Sequence, residues 1–221
     1  MDFELTDRAK AVEEQLLRFM AEHVYPAERI FMEQSHESPD EEPKIMRELR
    51  TRAKQIGLWN LFLPDDEWGA GLSNLEYTPL CEIMGRSPIA ARVFNCQAPD
   101  TGNAEILAEF GSPEQKQRWL RPLLEGEIRS CFSMTEPEVS GADPTGLRTQ
   151  ARREGDEYVL DGHKWFTSGA VGAATAAAQA LAPDITVTQV VSAPVAEVWK
   201  AWTTTEGIES FFAPKAAKVE P

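Results

Sequence analysis

Histidine and cysteine are scarce in this chain of 221 residues, with three of each. His23, His36 and His163 stand far apart from one another and from every cysteine, which argues against a metal site. Cys81, Cys96 and Cys131 are odd in number and unpaired in spacing, so they read as reduced thiols of a cytoplasmic protein. Basic residues are outnumbered, 22 Lys and Arg against 36 Asp and Glu, and the net charge of −14 lacks the clustered cations that nucleic acids require. No apolar run approaches the length that spans a bilayer, so no membrane partner is expected. The start, Met1-Asp2-Phe3-Glu4-Leu5, is acidic where a leader peptide would be basic.

What remains is an ordinary globular composition, 42% apolar and 26% charged, able to bury a sizeable core. The first part has helical periodicity. Ala9, Val12, Leu16, Phe19, Met20 and Val24 form one stripe, expected to stop near Tyr25-Pro26. Ile45, Met46, Leu49, Ala53 and Ile56 form a second, with Pro43 near its start and Gly57 at its cap. Ser73-Asn74-Leu75-Glu76 is a capping box, Gly85 is placed to close that helix, and Pro79 inside it predicts a kink. Ser112-Pro113-Glu114-Gln115 opens a further helix, with Trp119, Leu120, Leu123 and Leu124 as its predicted buried face.

The period changes after Gly126. Ile128, Ser130, Phe132 and Met134 alternate with polar neighbours, as in a half-buried strand. Leu147–Arg153 and Glu157–Leu160 read as strands about a Gly155-Asp156 turn, and Asp161-Gly162 is a type I′ hairpin signal leading into His163–Thr167. From Val171 to Ala182 alanine dominates, a weak strand former, so this stretch reads as a linker or short helix. Ile185–Thr188 then alternates as a strand, followed by two short helices before the sequence ends at Pro221, short of a complete sheet. The expected fold is α+β: an N-terminal helical bundle over 1–127, a partial antiparallel β domain over 128–170, a linker over 171–183, and a β-α-α fragment over 184–221.

Phe110-Gly111-Ser112-Pro113-Glu114-Gln115-Lys116 to Glu127, Cys131-Phe132-Ser133-Met134-Thr135-Glu136-Pro137, and Gly155 to Gly169 with its Trp165-Phe166-Thr167 occur in fixed order. Together they make residues 1–169 resemble the acyl-CoA dehydrogenase family. The resemblance implies FAD as cofactor and an acyl-CoA thioester as substrate, oxidised between its α and β carbons. It implies flavin contacts from Phe132, Met134, Thr135, Trp165, Phe166 and Thr167. The loop Glu138–Asp143 is longer than the family's usual Gly-Ala-Gly-Ser-Asp. The serine that ordinarily meets the thioester end aligns with Ala142, which has no hydroxyl, and Ser140 is the substitute. Asn95–Asn103 either lines the acyl cavity or simply connects helices.

The family takes its α-proton base, and its main oligomerisation surface, from a C-terminal helical domain. No residue of this chain matches that base, so no catalytic residue is assigned. The resemblance therefore predicts a family member that does not retain FAD and does not turn over by itself. The alternative is a non-catalytic hybrid or fragment serving as a binding module. Residues 184–221, with Ser192-Ala193-Pro194-Val195 and Thr203–Ile208, resemble the start of a START-like helix-grip domain of the heat-shock-ATPase-activator type.

Overall fold

The computed structural model describes residues 4–38, 41–155, 158–167 and 169, with backbone alone at 157, 185–186 and 190–191. The chain divides into two compact units, one of residues 1–108 with 113–129, the other of 109–112 with 130–221.

The first unit is helical. Helix α1 (Asp7–Phe19) begins where the Thr6 side chain accepts from the Ala9 amide. The apolar stripe does not stop at Tyr25-Pro26. It runs through a π-helical turn, Met20–Val24, into α2 (Tyr25–Glu37), burying Leu16, Phe19, Met20, Val24 and Ala27 in one line. Proline ends an ordinary helix because its ring strikes the carbonyl four residues back and it has no N–H to offer. Here the widened turn, closed by Tyr25 N–H to Met20 O, precedes Pro26 and leaves the ring in a first-turn position. The same device recurs at Lys116–Leu120, ahead of Pro122.

Helix α3 (Lys44–Gln55) follows the predicted stripe, with Pro43 at its N-cap and Gly57 at φ +78° beyond its end. Helix α4 (Asn74–Met84) carries the full capping box between Ser73 and Glu76, with Gly85 as C-cap and Pro79 inside. Thr6 Oγ1 also donates to Glu76 Oε1 at 2.5 Å, tying the starts of α1 and α4. That bond, then those from Ser73, hold the Glu76 carboxyl down at about 2. Replacing Ser73 by Ala should lower the stability of this unit by about 1 kcal/mol, the usual worth of a side-chain cap, read by urea unfolding.

Helix α6 (Asp100–Phe110) and the short helices α5 (Ala90–Val93), α7 (Pro113–Gln115) and α8 (Arg121–Leu124) complete the α-helices described. Phe94 is wholly buried, edge-on to Phe19 with ring centroids 5.4 Å apart. Of the face predicted for the last helical stretch, Leu120, Leu123 and Leu124 are buried but Trp119 is not, at 46% exposure. The π turn shifts the register there, and Arg118 stacks over the outward Trp119 ring at 4.6 Å.

The second unit contains a hairpin of β1 (Gln150–Glu154) and β2 (Glu157–Asp161), turning at Gly155 with φ +67°. Strand β3 (His163–Lys164) does not continue that hairpin. It pairs antiparallel with β4 (Ile185–Thr186), whereas β2 pairs with β5 (Val190–Val191). Asp161-Gly162 is therefore a step between two sheets and not a type I′ turn. Glycine is needed at 162 for another reason: a Cβ there would lie 2.2 Å from Thr149 Oγ1 and 2.8 Å from Thr149 Cα. Gly162→Ala should destabilise this unit by about 1–3 kcal/mol, the range for overpacking, in the same urea experiment.

Ile185–Thr186, expected to open a separate domain, is thus hydrogen-bonded to the central β unit. The free edges of β2 and β3 supply the backbone donors and acceptors that such a segment needs. The linker expected at 171–183 and the helices expected after 191 lie outside the described residues. Among the described residues no helix is long and apolar enough to cross a membrane, and no cluster of His, Cys, Asp or Glu could hold a metal ion.

Candidate functional site

The segment from Ile128 to Met134, predicted as a half-buried strand, forms only a single bridge, at Phe132. Its burial does not alternate either, because Cys131, Phe132 and Ser133 are all exposed. A strand needs a continuous backbone ladder, and here the ties are scattered along 133–136. Trp165 N–H donates to Thr135 O at 3.1 Å, Lys164 Nζ donates to Met134 O at 2.8 Å, and the Ser133 and Thr167 hydroxyls lie 3.0 Å apart. Residues 133–135 and 164–167 are thereby laced side by side.

Behind this lacing lies a buried carboxylate. Glu136, with its side chain 1% exposed, accepts from Lys164 Nζ at 2.8 Å. It also accepts from the Arg148 amide at 2.6 Å, the Thr149 amide at 2.9 Å and the Thr149 hydroxyl at 2.6 Å. Burial pushes the Glu136 carboxyl up, but the bonds from Lys164, Thr149 and the two amides outweigh it and hold the group at about 2. Glu136 is therefore a fixed anion joining 136, 148–149 and 164, so that the lacing has a rigid back.

The residues predicted to contact a flavin separate into two groups. Met134, Thr135, Trp165 and Thr167 are half-buried and lie within the lacing. Phe132 and Phe166 are exposed, at 41% and 78%. Phe166 adopts φ +48°, a conformation that costs a non-glycine residue free energy, and its ring tilts against Trp165 with centroids 4.8 Å apart. Trp165 Nε1 is buried and has no acceptor among the described residues.

The residues predicted to meet a substrate lie alongside. A Cβ on Gly141 would come 3.6 Å from Thr135 Oγ1, so the loop of Ser140 and Ala142 passes beside that threonine. The Ser140 hydroxyl accepts from the Ala142 amide at 3.3 Å, and Asp143 caps the short turn Pro144–Gly146.

Two other polar nodes lie in the helical unit. Asn95 Nδ2 donates to Asn60 Oδ1 at 2.7 Å and to Leu123 O at 3.2 Å, while Asn60 Nδ2 donates to Leu124 O at 2.9 Å. These bonds satisfy carbonyls at the end of α8. Asp100 pairs with Arg129, Oδ2 to Nη1 at 2.9 Å. Sequence reasoning missed the Glu136–Lys164 and Asp100–Arg129 pairs. The one available signal was that Glu136 and Lys164 both stand inside the stretches singled out for other reasons.

Comparison with known proteins places both units in one family. The family model described as the acyl-CoA dehydrogenase N-terminal domain matches residues 6–127, and that of the middle domain matches 131–210. The middle-domain match runs across the stretch that resembled a START-like domain, which leaves that resemblance without support. The candidate acyl-CoA dehydrogenase FadE2 of Mycobacterium tuberculosis is 48% identical over 174 residues, covering 77% of this chain and 42% of the relative. The solved structure of a candidate acyl-CoA dehydrogenase from Mycobacterium abscessus is similar with a TM-score of 0.71 and 45% identity, covering 75% of this chain and 43% of that one. An acyl-CoA dehydrogenase from Bacillus anthracis solved with FAD is similar at a TM-score of 0.55 and 26% identity, covering 77% of this chain and 28% of that one. The chain thus spans less than half the length of these relatives.

Proposed function

The chain belongs to the acyl-CoA dehydrogenase family, and we propose that it carries one face of a site for FAD-dependent α,β-dehydrogenation of an acyl-CoA thioester. In this reading residues 1–127 are the helical domain and 128–170 begin the β domain. Phe132, Met134, Thr135, Trp165, Phe166 and Thr167 contact the flavin, while Ser140 and Ala142 lie toward the thioester. FAD is the cofactor that the family implies, and the residues present fit it. A flavin ring needs a flat apolar wall beside hydrogen-bonding groups. Trp165, the outward Phe132 and Phe166, and the Ser133–Thr167 hydroxyl pair offer both, with the orphaned Trp165 Nε1 as a further donor. When bound, FAD supplies the acceptor for the hydride leaving the substrate's β carbon.

The observation that carries this reading is the lacing of 133–135 to 164–167 over the buried Glu136–Lys164 pair. It holds backbone and hydroxyl groups in fixed positions before any ligand arrives, which is what orientation in a cofactor site requires. The same pair rules Glu136 out as the α-proton base, since a base must be free to take a proton near neutral pH. Ser140 is engaged with its own loop, and Ala142 has no hydroxyl, so thioester anchoring here is weak.

The exposure of Phe132 and Phe166 favours a second reading, a non-catalytic module that binds through this open face. Flavin content decides between the two at the first level. We expect purified chain to carry well under one equivalent of FAD, because the described contacts wall only one side of the ring, yet to bind added FAD reversibly. Absorbance near one equivalent after purification would contradict the open-face account. Complete indifference to added FAD would leave the second reading standing.

A further inference from the structure

The helical unit holds another charged centre, which the flavin reading does not use. Arg50 of α3, Arg92 of α5 and Arg129 gather there with the carboxylates Glu42 and Asp100. Glu42 Oε1 lies 2.7 Å from Arg50 Nη1 and 3.8 Å from Arg92 Nη2, so one oxygen serves two guanidiniums. Asp100 Oδ2 pairs with Arg129 Nη1 at 2.9 Å, and the same nitrogen lies 3.4 Å from Asn95 Oδ1. Arg50 Nε donates to Arg92 O at 3.1 Å, but Arg50 Nη2 is enclosed with no acceptor among the described residues. Side-chain exposure rises from 12% at Arg50 through 20% at Arg129 to 37% at Arg92, which gives the cluster a solvent-facing edge.

Three cations face two carboxylates, so a positive charge is left over within a chain of net charge −14. A buried guanidinium N–H without an acceptor is costly, and a bound water or ion is one of the few things that account for such an orphan in a folded protein. Burial is the largest influence lowering the Arg50 basicity; Glu42 opposes it, and Arg129 and Arg92 add their repulsion. Arg92 is lowered likewise, first by burial and then by Arg129. An anion seated among the three would accept the orphaned donor and relieve that repulsion. Guanidinium forks match the paired oxygens of phosphate and carboxylate groups.

We infer that Arg50, Arg92 and Arg129 form a binding site for a small oxyanion of the phosphate or carboxylate class, taken up from the edge at Arg92. The site does not depend on the flavin reading and can be tested without FAD.

Inorganic phosphate, sulfate, malonate and chloride are titrated into the full chain at matched ionic strength, with thermal unfolding and, for phosphate, the 31P line width as readouts. At least one oxyanion should raise the Tm saturably while chloride does not, and the rank of phosphate against malonate identifies the preferred class. Arg92→Met should leave the helical circular dichroism intact, because Arg92 meets Glu42 only at 3.8 Å, and weaken binding on the order of tenfold, about one charge-assisted hydrogen bond. Arg50→Met should weaken it further, provided that its helical signal matches wild type. Arg29→Met, at an 85% exposed arginine elsewhere, should bind as wild type. Equal responses to all four salts, wild-type binding by Arg92→Met, or an equal loss in Arg29→Met would overturn the inference.

Discussion

Acyl-CoA thioesters, from short to long, are expected to leave FAD unbleached in the presence of this chain under anaerobic conditions, beyond the rate with free FAD. The α proton of a thioester leaves to a general base poised within hydrogen-bond reach, a role for which the family resemblance implies a carboxylate. The buried carboxylate at the candidate face, Glu136, is held at about 2 and fully engaged by Lys164, Thr149 and the Arg148 amide. Lack of a general base alone costs on the order of a hundred to ten thousand fold. The losses compound here. On the proposed reading Ala142 has no hydroxyl to offer a thioester, and Phe132 and Phe166 stand open to water, which weakens every electrostatic contribution at that face. Bleaching that follows substrate concentration would show that a base is supplied from residues outside those described, or by an associated protein.

Lys164→Met is expected to produce the largest loss of stability of any single substitution in the β unit, read as the urea midpoint of its unfolding. It strips the charge partner from a carboxylate whose side chain is 1% exposed, and a buried ion is far costlier alone than paired. The double variant Glu136→Gln with Lys164→Met should be more stable than Lys164→Met alone, since no unpaired charge then remains. Equal stability of the two would mean that the pair does not hold the unit together. The pH dependence has a definite sign. The folded value of Glu136, about 2, lies below its ordinary 4.5, so its contribution is complete above 4.5 and is lost as pH falls from there toward 2. Glu136→Gln should remove that part of the acid sensitivity.

Much of the helical unit was legible because its signals are local. The Ser73–Glu76 box, the Pro43 start and the Gly57 end each act through backbone groups within one turn, and each is found where its residues place it. The run through Pro26 was not legible, since a π turn depends on one residue of slack that no periodicity records. Trp119 fell on the wrong face for the same reason. In the β unit, Asp161-Gly162 carried a hairpin signal that was overruled by tertiary contact: Gly162 is required by the proximity of Thr149, thirteen residues away in sequence. The strand expected over 128–134 dissolved because alternation supplies a face but no partner strand. At the candidate site, resemblance singled out Thr135, Trp165 and Thr167, and the structure brings them together. It could not show that Glu136 and Lys164 neutralise one another beneath them, because a buried pair separated along the chain leaves no spacing to read.

Whether the laced edge of 133–135 and 164–167, with the exposed Phe132 beside it, meets a flavin decides the proposed function. The direct measurement is the visible difference spectrum of FAD titrated with the purified chain, beside Trp165→Ala and Thr135→Val/Thr167→Val variants whose circular dichroism matches wild type. The predicted result is a saturable, dialysable spectral shift with wild type that both variants lose. No shift with wild type, or a shift that survives in both variants, would contradict it.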